Sequence, residues 1–164
     1  MRLVEFNAAP AEELDPALLA CCEVPAWAAA VREGRPYDDV DALVSRGDEA
    51  FRRLGSVDVE RALAAHPRIG ERAQGDGVEA SWSRSEQSGV DRDEPTTAAL
   101  AEGNRAYEER FGRVFLICAT GLSGDEVLDA LHRRLGNDEA TEALVVADEL
   151  RKIAVLRLRK LVTS

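Results

Sequence analysis

Apolar residues recur at helical spacing along most of this chain, and the breaks between stripes fall at prolines, glycines and capping residues. Asp15-Pro16 reads as a cap and first turn leading through Leu18, Leu19 and Cys22. Pro25 restarts a short helix through Trp27 and Val31, and Pro36-Tyr37-Asp38 leads into a longer one carrying Val40, Leu43, Val44 and Phe51 towards Gly55. Ser56 caps a further helix that must stop near Ala65, because Pro67 drives His66 out of the helical region. Residues 70–80 hold three glycines and no apolar period, so they read as a loop, with a short helix following from about Ser83 to Gly89. Asp93-Glu94-Pro95 opens a helix with Leu100, Asn104, Tyr107 and Phe111 on one side, which Gly112 ends. Ser123 and Glu126 form a capping box for Val127, Leu128, Leu131 and Leu135, with Gly136 as the expected C′ residue. Asp138 caps a last helix reaching about Leu161. The expectation is an all-α, compact single-domain bundle of about seven to nine helices over residues 1–164.

Composition narrows the function classes. At 164 residues the chain can bury a core without metal or disulfide staples. A formal net charge of -10 argues against nonspecific nucleic-acid binding, which needs clustered Lys and Arg. It also means that a site for an anionic small molecule must supply its own positive charge. Cys21, Cys22 and Cys118 make an odd set without framework spacing, which predicts reduced thiols and a cytoplasmic location. The histidines are too far apart for a short metal motif, so no metal is expected. The start lacks a sustained apolar region, so no signal peptide is expected. Purely apolar stretches such as Val114–Ala119 are too short for a bilayer, so no membrane role is expected.

Few residues stand out chemically. His66 ends a helix at a proline, and is either a C-cap imidazole or a ring projected into a pocket, where an ordinary pKa of about 6.5 suits proton transfer. Glu86 is either the partner of Ser83 in a capping box or a site carboxylate, with Gln87 beside it. Leu150, Ile153, Ala154, Leu158 and Leu161 form one apolar stripe of the last helix, and Arg157 falls within it. A guanidinium there either snorkels to water or meets an anion inside. Phe115–Ala119 reads as a buried extended segment whose main chain could bond a planar heterocycle where no partner strand takes it.

The order and spacing of His66-Pro67-Arg68-Ile69-Gly70, Ser83-Arg84-Ser85-Glu86-Gln87 and Phe115-Leu116-Ile117-Cys118-Ala119 resemble the 2-oxo-4-hydroxy-4-carboxy-5-ureidoimidazoline (OHCU) decarboxylase family. Asn104-x-x-Tyr107-x-x-x-Phe111-Gly112, Arg134-Leu135-x-Asn137-x-x-x-x-Glu142 and Ile153-Ala154-x-Leu156-Arg157-Leu158 look like its later signatures, so the likeness runs over about residues 10–161. Arg68-Ile69-Gly70 stands where many members carry Asp-Leu-Ala-Gly, and Arg113-Val114-Phe115 where many carry Phe-Pro-Phe.

The resemblance implies an all-helical homodimer that decarboxylates OHCU to S-allantoin and carbon dioxide without a cofactor, the last step of urate-to-allantoin catabolism. It implies His66, Glu86 and Arg157 as catalytic residues. Substrate contacts would come from Pro67, Ser83, Arg84, Ser85, Glu86 and Gln87, and from the main chain of Phe115, Leu116, Ile117, Cys118 and Ala119. Two alternatives are a non-catalytic helical interaction module and a related enzyme for another ureido or hydroxy-acid substrate.

Overall fold

The structure, a computed structural model, describes residues 1–70, 78–90 and 93–163. Among these residues it is all-helical, with α1 Leu3–Ala8, α2 Ala11–Cys21, α3 Pro25–Glu33, α4 Val40–Arg52, α5 Ser56–Ala64, α6 Val78–Glu86, α7 Glu94–Phe111, α8 Gly124–Leu135 and α9 Glu139–Leu161. The chain forms two compact units. One comprises residues 1–65 and 151–164, and the other residues 66–150.

The first unit packs α1 to α5 with the second half of α9. Phe6, Leu14, Leu18, Trp27, Val31, Leu43, Phe51 and Leu158 are fully or almost fully buried in it. The Trp27 indole N–H donates to the Gly47 carbonyl at 2.9 Å, so its one polar group is satisfied inside. The two ends of the chain are stitched together here. Leu3 N–H donates to Thr163 O at 3.0 Å and Thr163 N–H to Met1 O at 2.9 Å, an isolated parallel bridge between Arg2 and Thr163.

Several boundaries differ from the sequence expectation. α1 precedes the first expected helix and is capped by Arg2 and Glu5, Arg2 N–H donating to Glu5 Oε2 at 2.8 Å. α2 starts at Ala11 with Pro10 as its cap, so Pro16 lies inside the helix and not at its start. Leu14, Leu18 and Cys21 make one buried stripe there, and its burial outweighs the hydrogen bond that a proline forfeits. Gly55 is the N-cap of α5 and Ser56 its first residue.

In the second unit, α7, α8 and the first half of α9 surround an apolar cluster of Ile69, Val90, Leu100, Tyr107, Phe111, Phe115, Ile117, Ala119, Val127, Ala130 and Leu131. α7 is capped by the Asp93 side chain and ends at Gly112 with φ +66°, the left-handed conformation that glycine adopts freely. Gly103 lets α7 approach α8, since a Cβ there would lie 2.8 Å from the Leu131 side chain. The Ser123–Glu126 capping box forms as expected, while Gly136 ends α8 at φ −82° and is not a left-handed cap. Asp138 Oδ1 accepts from Thr141 N–H at 2.7 Å at the start of α9. Of the loop expected over 70–80, residues 71–77 lie outside the described residues and Val78 already begins α6.

Candidate active site

The early start of α6 changes the reading of Ser83 and Glu86. Ser83 is inside the helix and not its N-cap, so of the two readings of Ser83 and Glu86 the N-terminal capping box does not apply. Ser83, Glu86 and Gln87 follow a spacing of three and then one, which puts them on one face, and all three are buried. Arg84 is partly buried and Ser85 exposed.

His66 leaves α5 at the turn before Pro67; the residue is partly buried and its Nε2 is a buried polar atom. The turn that follows is tied down at three points. Gln87 Oε1 accepts from Gly70 N–H at 3.0 Å, which joins the turn to the end of α6. Asn104 Nδ2 donates to the Ile69 carbonyl at 2.9 Å. Arg68 clasps Glu108, its Nε donating to Oε1 and its Nη2 to Oε2, the latter at 3.0 Å. That clasp holds the Glu108 carboxyl below the usual carboxylate range. Arg68, where many family members carry Asp, is thus an anchor to α7. A groove of about 570 Å³ runs between Arg68–Gly70 and α7, and its lining includes neither His66 nor Glu86.

Residues 114–119 carry neither helix nor strand pairing. Phe115, Leu116, Ile117 and Ala119 are buried. Side chains fix part of their main chain: Arg134 Nη1 donates to Leu116 O at 2.6 Å, and Glu149 Oε2 accepts from Cys118 N–H at 2.8 Å. Among the described residues, no hydrogen bond engages the main-chain groups of Ile117 between them. The end of α6 abuts the same region, since a Cβ on Gly89 would lie 2.6 Å from Leu122 O. Ile69, Val90 and the pair Ile117 and Ala119 sit in one apolar cluster, so the turn after His66, the stretch following α6 and the 115–119 segment share a common core.

Arg157 belongs to the first unit and is buried at 4% exposure, on the stripe of Leu150, Ile153, Ala154 and Leu158 that its spacing predicts. Its Nη1 lies 3.5 Å from the Ala20 carbonyl. Burial pushes the nearby Cys22 thiol up to about 12, opposed by the Val24 amide and then by the positive charge of Arg157. Arg159 pairs with Asp41 at 2.5 Å in the open, as a solvated charge should. Arg151, off the stripe, is largely covered and pairs with Asp48.

The polar groups that the sequence reading quoted as later signatures without a role centre on Glu142, which is fully buried. It accepts from Tyr107 Oη at 2.5 Å, Arg134 Nε at 2.8 Å and Asn137 Nδ2 at 2.8 Å. Burial, then the Glu142 hydrogen bond, raise the Tyr107 hydroxyl well above its ordinary value, so it acts as a donor. Helical phase was the available signal, because Arg134 follows Val127 and Leu131 on one face.

An all-helical scaffold that gathers a histidine turn, a carboxylate–amide helix end and a main-chain segment without a ladder is that of a small-molecule enzyme. The family model of OHCU decarboxylase matches residues 7–159, and the chain belongs to that family. It is 33% identical over 141 residues to the 2-oxo-4-hydroxy-4-carboxy-5-ureidoimidazoline decarboxylase of Amia calva, covering 84% of this chain and 81% of that protein. It is 32% identical over 146 residues to the uric acid degradation bifunctional protein TTL of Arabidopsis thaliana, where the match covers 86% of this chain but 45% of the longer plant protein. Among solved structures, an OHCU decarboxylase crystallised in the presence of (S)-allantoin aligns with a TM-score of 0.74 at 29% identity, covering 87% of this chain and 94% of that one.

Proposed function

We propose that this chain decarboxylates OHCU to (S)-allantoin and carbon dioxide at the groups gathered in residues 66–119. The observation that supports this reading is that the turn after His66 is joined to the end of α6 through Gly70 and Gln87, beside the cluster shared by Ile69, Val90, Ile117 and Ala119, within a chain of the OHCU decarboxylase family. The carbon that bears the substrate carboxylate neighbours a ring C=N bond. Electrons released with carbon dioxide flow into that imine, so the substrate is its own electron sink and no organic cofactor is called for. The protein's work is to align the breaking bond with the π system and to deliver a proton to one face.

His66 handles that proton. Glu86 and Gln87, with Ser83, hold the ureido arm, whose N–H and C=O groups match a carboxylate and an amide. The family likeness implies Arg157 as the positive charge for the substrate's acidic oxygens. A homodimer is the assembly implied by the same likeness, and light scattering on the purified protein tests it. An odd set of three cysteines without framework spacing supports a reducing, cytoplasmic setting.

A coupled assay tests the reaction. Urate oxidase and hydroxyisourate hydrolase generate the unstable substrate, and circular dichroism follows the chiral product. Enzyme-dependent acceleration of (S)-allantoin formation is the expected result; a rate equal to spontaneous decay would refute it.

A further inference from the structure

Phe115–Ala119 has no ladder to set its register, so its main-chain groups take their positions from side chains. Arg134 contributes the most constrained of these contacts. Its guanidinium is 7% exposed and lies 4.7 Å from the Phe115 ring centroid and 5.7 Å from that of Tyr107. One edge of the fork meets Glu142 and Nη1 meets the Leu116 carbonyl at 2.6 Å, a charge-assisted contact to the peptide immediately before Ile117. A buried ion pair does little for stability compared with apolar side chains of equal volume. Stability alone therefore does not account for placing Arg134 and Glu142 here, whereas fixing one carbonyl does.

We infer that Arg134 is a positioning residue for substrate binding: held by Glu142, which Tyr107 and Asn137 hold in turn, it pins the Leu116 carbonyl so that the Ile117 main chain meets the substrate. The inference rests on the proposed reading that this main chain binds ligand. Arginine is required because one group must reach Glu142 and Leu116 at once. A lysine ammonium keeps the charge opposite Glu142 but has no planar fork to span both.

The test pairs Arg134→Lys with the double variant Arg134→Met/Glu142→Leu, which removes both buried charges together. The expected result is folded protein in which KM for OHCU rises about tenfold or more while kcat falls less, because ground-state and transition-state binding weaken together. A KM within about twofold of wild type in Arg134→Lys, with turnover intact, overturns the inference and leaves a purely structural ion pair. A separate arm examines the reading beneath it. In the wild-type protein, adding (S)-allantoin should shift the Ile117 amide resonance. An unmoved Ile117 amide at saturating (S)-allantoin overturns the main-chain reading and the inference with it, whereas a shifted amide with unchanged KM in the variant overturns Arg134 alone. If the double variant does not fold, Arg134→Lys still decides, since it retains the buried charge pair.

Discussion

Two arginines buried on helical stripes show how much chemistry a single residue's phase can report. Arg157 was legible because its neighbours Ile153, Ala154 and Leu158 outline the stripe around it. Arg134 obeys the same rule, but it sits in the polar run His132-Arg133-Arg134, which masks the one member that turns inward. Arg157→Leu is expected to melt at or above the wild-type temperature, since leucine completes the stripe, yet to lose about 10²-fold or more in kcat/KM. Arg157→Lys should fall between the two; a Leu variant with near wild-type turnover would make this arginine an ordinary buried cation. His66 is judged by the opposite pattern. His66→Asn should fold with an unchanged melting point and lose about 10²–10⁴ in rate, in line with removal of a general acid–base group. A few-fold loss would return the ring to its role at the end of α5.

At the scale of elements, helices with strong terminal signals were readable. Asp93, Ser123 and Asp138 open their helices, and Pro25 and Gly112 bound theirs, because each supplies a local conformational or hydrogen-bonding reason. α6 was not readable in this way. Ser83 and Glu86 have the spacing of a capping box, and nothing local reveals that Val78 has already begun the helix. The tertiary setting turns an apparent cap into a buried polar face. Glu86→Gln is accordingly expected to reduce turnover at least about tenfold while lowering the melting point little, as no N-terminal cap is lost. The clasp between the His66 turn and α7 offers a pH test. Because Arg68 lowers the folded-state value of Glu108 from its reference of 4.5, the contact stabilises the fold above 4.5 and is lost as pH falls through that lowered value. The difference in melting temperature between wild type and Glu108→Gln should be present at neutral pH and close in acid. An equal gap at all pH values would show that the carboxylate charge is not what matters.

For the molecule as a whole, the family and the all-helical class were legible from motif order and patterning, whereas the division into two compact units was not. The reason is topological. The hydrophobic stripe of α9 runs on without a break from Val146 and Leu150 to Leu158, so no gap marks where it passes from one unit to the other. Only long-range contacts reveal that residues 151–164 pack with residues 1–65.

The stitched chain ends give this arrangement a temporal side. During synthesis, α1 to α5 leave the ribosome long before Leu158 and Val162 exist to fill their core, and the Arg2–Thr163 bridge cannot close until Thr163 has been added. The packing of α1 to α5 is therefore completed only once the second half of α9 has been made. In the interval, the Gly47 face of α4, which later meets Leu158, stays uncovered, a vulnerability that closes when α9 is in place.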